Sequence, residues 1–161
     1  MKKILLILFL ISNLIFGQTK GKIQLEKNVV LNWEIQNFDK TKHTFEYCGK
    51  NEFKYLCKID NKDWFGSDNG MEFPKNELTK LNLKIGAQNY DLETSKMFNS
   101  NFSGYLSEHQ FKLVTNENYQ ILYSFHSDGA GTYTAHWKIE NGKAERIILS
   151  RDEEYFEWQT E

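Results

Sequence analysis

Beyond residue 17 the sequence predicts an all-β fold, and three observations predict it. Apolar residues recur with period two over most of the chain, as they do on strands with one buried face. Polar clusters such as "DNKD", "GSDNG", "GAQN" and "TNEN" break that alternation at short intervals. Aromatic residues, which favour pleated surfaces, make up 15% of the chain, and proline occurs once. Several short strands at this spacing imply an antiparallel sandwich or a partly open barrel.

The opening segment, MKKILLILFLISNLIFG, is of another kind. Lys2 and Lys3 precede an apolar run from Ile4 to Ile11, and Gly17 supplies a small residue for cleavage. This is the layout of a secretory signal peptide over residues 1–17. Ser12 and Asn13 interrupt it, and a span needs about 20 apolar residues, so no membrane span is expected after cleavage. The expectation is one exported domain, residues 18–161, secreted or periplasmic. Losing Lys2 and Lys3 takes the formal charge of −2 two units further, to −4. A mildly acidic domain without a basic run excludes nucleic acid as a partner.

The strands follow in order. "KIQLEKNVVLNWEI" alternates at Ile23 and Leu25, turns near Lys27-Asn28, and alternates again at Leu31, Trp33 and Ile35. "HTFEY" and "EFKYLCKI" alternate in the same way, the second through Phe53, Tyr55, Cys57 and Ile59. Pro74 opens "PKNELTKL", which reads either as a two-turn helix or as the approach to the strand carrying Leu81, Leu83 and Ile85. The last third, "QILYSFHS", "TYTAHWKIE" and "KAERIILS", reads as a three-stranded meander. Asn141-Gly142 is a type I′ hairpin signal, because both central residues of that turn need positive φ. It pairs Glu140 with Lys143, Lys138 with Glu145, and Trp137 with Arg146, the last open to a cation–π contact.

"HSDGAGTYTAHW" at 126–137 carries the densest chemistry. A short turn there pairs His126 with Tyr133 and Tyr123 with His136, so the two imidazoles point to opposite faces. They cannot share one metal at about 2 Å each, although His-x-Asp…His resembles an iron-binding triad. The glycines lack the following helix that a phosphate loop needs, and a turn capped by Asp128 explains them. A half-buried His126 and a surface His136 follow from this reading. The metal version of catalysis, a small hydrolase around His126 and Asp128, stands as an alternative.

No G-x-S-x-G, H-E-x-x-H or C-x-x-C occurs. No catalytic residue, cofactor or metal ligand is assigned. Cys57 could meet His43, His109 or His126 only by tertiary accident, and an apolar face raises a thiol pKa. Asp60, Asp63 and Asp68 gather in a loop that misses the calcium-loop pattern at Lys62 and Trp64. "RDEE" at 151–154 reads as a solvated bend. Cys48 and Cys57 are the only cysteines, and in an exported chain they are expected to bridge, although a regular hairpin would place them on opposite faces. Trp64, Phe65 and Asp68, with Asp128, Tyr133 and Trp137, form the candidate binding set. Their rings either stack on a partner or fold back onto the core. The functional expectation is a non-enzymatic exported domain binding a macromolecule, such as an inhibitor or immunity-type protein. A glycan-binding module using the same aromatics is the alternative, so the partner is a protein or a glycan.

Overall fold

The computed structural model describes residues 17–66, 72–101, 103–127 and 129–159; the leader expected over residues 1–17 lies outside them except for Gly17. The strands in chain order are β1 (Gln18–Glu26), β2 (Val29–Asn37), β3 (Phe45–Cys48), β4 (Tyr55–Ile59), β5 (Lys62–Asp63), β6 (Asn76–Ile85), β7 (Gln88–Leu92), β8 (Phe111–Thr115), β9 (Gln120–His126), β10 (Tyr133–Glu140) and β11 (Lys143–Ser150). They form antiparallel sheets in the orders β1-β2-β6-β7, β11-β10-β9-β8 and β3-β4-β5. The two four-stranded sheets face each other, with β11 beside β7 and β8 beside β1. Ladder hydrogen bonds close neither seam, so the architecture is a sandwich verging on a partly open barrel. No described helix is long and apolar enough to cross a membrane.

Alternation places the core. Leu31, Trp33 and Ile35 of β2, Leu81 and Leu83 of β6, and Leu122, Tyr133, Ala135 and Trp137 of β9 and β10 meet between the sheets. Gly21 stands opposite Trp33 in the β1–β2 ladder, and the indole lies where a Cβ would be. A side chain at residue 21 would displace that ring, a packing demand rather than a turn demand.

The C-terminal meander has the expected register. Trp137 pairs with Arg146, Lys138 with Glu145 and Glu140 with Lys143, around Asn141 and Gly142 at φ 52° and 75°. β8 extends the meander to four strands. The cation–π contact between Trp137 and Arg146 does not form. Both side chains instead donate to the Glu93 carbonyl, the indole Nε1 at 3.0 Å and the guanidinium at 3.4 Å.

The helical reading of "PKNELTKL" is overturned, because β6 occupies it from Asn76 onward. A β-bulge explains the misleading pattern. Glu34 pairs with Lys80 and Ile35 with Leu78, which leaves Thr79 as the extra residue. Buried Leu78 and Leu81 are therefore three apart, a helix-like spacing produced inside a strand.

Candidate functional site

The third sheet is small and projects from the barrel. Its root is anchored in a second core, where Leu56 and Ile59 of β4 pack with Trp64 and Phe98. His43 joins the root to the larger sheet. Its Nδ1 lies 2.7 Å from the Asp60 carboxylate, its Nε2 lies 3.5 Å from that of Glu77, and its ring stacks on Phe38. Partial burial raises the Asp60 pKa, but hydrogen bonds from His43 and Thr44 outweigh it and leave the carboxyl below its ordinary value.

The far end of the sheet is a stapled hairpin. Cys48 and Cys57 form a disulfide across it, with Cα atoms 5.6 Å apart. Regular pairing would have set the two cysteines on opposite faces. The register shifts instead: Glu46 pairs with Lys58 and Tyr47 with Leu56, so Cys57 is the bulged residue and swings toward Cys48. Gly49, at φ 84°, lets the loop reverse, and a Cβ there would collide with the Phe53 carbonyl. The sequence reading grouped Phe53 with the strand face, yet it lies in a 3-10 turn, Asn51–Phe53, and is 77% exposed. Tyr47 and Tyr55 flank it at 54% and 45% exposure. Paired residues share a face, so Tyr47 opposite Leu56 and Tyr55 opposite Cys48 look to the two sides of the hairpin. Phe73 packs edge-on against Phe45, 4.9 Å away, near the base.

Large rings held in water on a rigid hairpin need an explanation that a buried ring does not. Within the hairpin, Lys58 pairs with Glu46 at 2.9 Å, while the tip sets the exposed Phe53 ring among the exposed side chains of Lys50, Glu52 and Lys54. In chemical terms this is an aromatic anchor with a charged rim. Reducing the bridge is expected to destabilise the protein by up to about 2.7 kcal/mol, the chain-entropy value for a ten-residue loop. Urea denaturation with and without reductant measures the loss, and a thiol reagent applied to the native protein should modify neither cysteine.

The residues singled out from sequence are distributed differently. Tyr133 and Trp137 are fully buried and offer no ring face to a partner. Trp64 is buried in the second core against Phe98, and half-buried Phe65 packs on Tyr133 with ring centres 5.1 Å apart. The loop folds back because its aromatic rings fill the gap between the small sheet and the barrel. Asp68 and Asp128 lie outside the described residues. The set therefore does not come together as a surface, and its described rings belong to the packing.

His126 and His136 do point to opposite faces. His126 is fully buried rather than half-buried, because it enters the barrel interior between Tyr133 and Phe111. Its Nε2 contacts the Ser124 hydroxyl at 2.7 Å, and that hydroxyl also donates to the Ala135 carbonyl. A serine–histidine contact sealed in the core has no access to a substrate. His136 is buried as well, which corrects its expected surface position. The C-terminal 3-10 helix, Glu153–Gln159, lies over the outer face of β9 and β10. Trp158 packs on Tyr123 and Phe125, and the His136 Nε2 lies 3.1 Å from the Tyr155 carbonyl. Among the described residues, the one dense grouping of metal-type ligands is Glu46 with Cys48 and Cys57, and the disulfide occupies those cysteines.

The hairpin tip was missed because its rings sit in a loop that alternation assigned to a strand. Its signal was the cluster of aromatics between two cysteines nine residues apart. Compared with known proteins, the chain matches no family model, no curated protein and no solved structure.

Proposed function

We propose that this chain is an exported, non-enzymatic β domain that binds a macromolecular partner through the stapled β3–β4 hairpin. The reading is that of an inhibitor or immunity-type protein that inserts the hairpin into a hydrolase or toxin. The observation that carries it is the exposure of Phe53, Tyr47 and Tyr55 on one disulfide-closed projection. Aromatic anchors of this kind dominate interface energetics. A loop fixed before binding loses less conformational freedom on association, so more of its contact energy appears as affinity. The disulfide and the leader-like N-terminus support placement in the periplasm or outside the cell.

The glycan reading loses support with Trp64 and Trp137, whose rings are buried, and retains only the hairpin tyrosines as stacking surfaces. The hydrolase reading loses support because His126 has no solvent path.

Capture from envelope extract on immobilised protein tests the proposal. Phe53→Ala is expected to weaken capture at least about 30-fold, equivalent to a hot spot of about 2 kcal/mol, at an unchanged denaturation midpoint. Tyr105→Ala, which removes an exposed ring elsewhere, should leave capture intact. If Phe53→Ala and Tyr55→Ala both capture the same protein as well as wild type does, the hairpin is not the anchor. Glycan-array binding without protein capture would transfer the function to the glycan alternative.

A further inference from the structure

We propose that a trough on the outer face of the β1-β2-β6-β7 sheet, walled by Lys22 and Lys84 and closed by Lys27, binds the oxyanion group of a small acidic ligand, a carboxylate or a phosphate. The trough encloses about 400 Å³. Alternation builds it. β2 turns Leu31 and Trp33 into the core, which leaves Val30 and Asn32 as the floor on the outer face. Lys22 of β1 pairs with Asn32, and Lys84 of β6 pairs with Val30, so the two exposed lysines stand on opposite sides of β2. Their Cα atoms are about 12 Å apart, two strand spacings across and two residues along, a gap that two lysine side chains and one oxyanion span together. The end wall is the β1–β2 turn at Lys27 and Asn28. It is tied to the next turn by the Gly86 N–H, which donates to the Asn28 carbonyl at 2.9 Å.

The same sheet shows what such an arrangement holds. Farther along β2, Lys20 and Lys80 flank the strand at Glu34. There the protein supplies the anion itself. The Lys80 Nζ lies 3.9 Å from the Glu34 carboxylate, which also accepts from the Gln18 Nε2 at 2.8 Å. At Val30 and Asn32 the flanking lysines recur without the central carboxylate.

Among the described residues none of Lys22, Lys27 and Lys84 has a carboxylate within ion-pair distance, and no acid lines the trough. Asp91, on the row of Lys22, Asn32 and Asn82, accepts from the Asn82 Nδ2 at 2.9 Å, one strand beyond the trough. Three like charges around one depression, in a chain whose formal charge is −2, repel one another until an anion joins them. The side-chain amides of Asn28 and Asn32 make no hydrogen bond among the described residues, and they offer donors and acceptors to the hydroxyls of a sugar acid. β2 begins at the trough and ends toward the small sheet, so the site is separate from the hairpin and from its role.

Amide NMR titrations at matched ionic strength, with sodium chloride, inorganic phosphate, glucuronate, glucose 6-phosphate and glucose, test the site. The anions other than chloride are expected to shift the Asn28 and Gly86 backbone amides and the Asn32 side-chain amide saturably, and glucose is not. Lys22→Gln/Lys84→Gln should weaken binding at least tenfold without lowering the thermal midpoint, because both side chains are exposed and unpaired. Asn32→Glu recreates the Glu34 arrangement inside the trough. It should abolish the titration and raise the midpoint by about 1–3 °C, the shift of an exposed ion pair in a domain of this size. Tighter binding of the sugar acids than of inorganic phosphate would identify a ligand-borne group, and equal binding a free ion. No saturable shift with any anion, equal saturation by glucose, or shifts that survive in the double variant would overturn the site. An Asn32→Glu midpoint below wild type would overturn it too, by showing that the lysines do not converge over β2.

Discussion

Lowering the pH from 7 to 3 is expected to remove about 5 kcal/mol of folding stability through His126 alone. The imidazole is fully buried between Tyr133 and Phe111. Burial drives its pKa down from 6.5 to about 3, and the Ser100 carbonyl, which favours the charged ring, offsets this only in part. The unfolded chain takes up a proton near pH 6.5 that the folded core refuses. Stability is therefore intact above pH 6.5 and falls by about 1.4 kcal/mol per unit as pH drops toward 3. Below that the two states carry the same proton and the slope vanishes. Between pH 7 and 5 the expected loss is about 2 kcal/mol.

Urea denaturation at pH 7, 6 and 5 measures the effect, and His126→Phe isolates it. The replacement ring keeps the aromatic stack, and the Ser124 hydroxyl keeps its bond to the Ala135 carbonyl. His136 contributes in the same direction, since burial lowers its pKa against the Tyr155 carbonyl, and it remains in the variant. The variant should therefore retain a shallower acid slope. Parallel slopes for the two proteins would remove His126 as the cause.

The His126 environment shows how far the sequence could be followed. Hairpin arithmetic around two turns was enough to place His126 opposite Tyr133 and His136 opposite Tyr123, because the side-chain period on a strand is fixed at two. What lies over each face is not encoded in that period. The 3-10 helix that covers His136 is held by Tyr155 and Trp158, three residues apart and so on one side of such a helix. That short spacing carries no signal until a sheet is present to receive it.

Bulges account for most of the remaining differences. A single extra residue at Thr79 turned a strand into an apparent helix, and another at Cys57 joined two cysteines that regular pairing kept apart. Each is set by the facing strand and is invisible in its own segment. The candidate site was misplaced for a related reason. Aromatic residues beside glycines in "DWFG" read as a surface loop, whereas those in "CGKNEFKYLC" read as a strand. Tertiary packing reversed both, because the barrel had a gap for Trp64 and Phe65 and none for Phe53.

Trp137→Ala is expected to cost about 3–5 kcal/mol, a large share of the 5–15 kcal/mol that stabilises a typical domain. Trp137 has no exposed surface, and it lies inside the barrel opposite Leu122 and Arg146. Truncation would leave a cavity the size of an indole in the middle of a two-sheet core, where neither backbone can move inward without breaking its ladder. It would also free the Glu93 carbonyl from the indole N–H, leaving the Arg146 guanidinium as its donor. Trp137→Phe fills part of the space and should cost less than half as much. The pair also separates packing from recognition. A ring that met a partner would leave the urea midpoint of Trp137→Ala at the wild-type value and weaken capture instead. A ring that spans the core lowers the midpoint first and affects capture only through the fraction unfolded, so capture per folded molecule should equal wild type. Measuring both quantities on one preparation distinguishes the two roles, and an unchanged midpoint would place Trp137 outside the core.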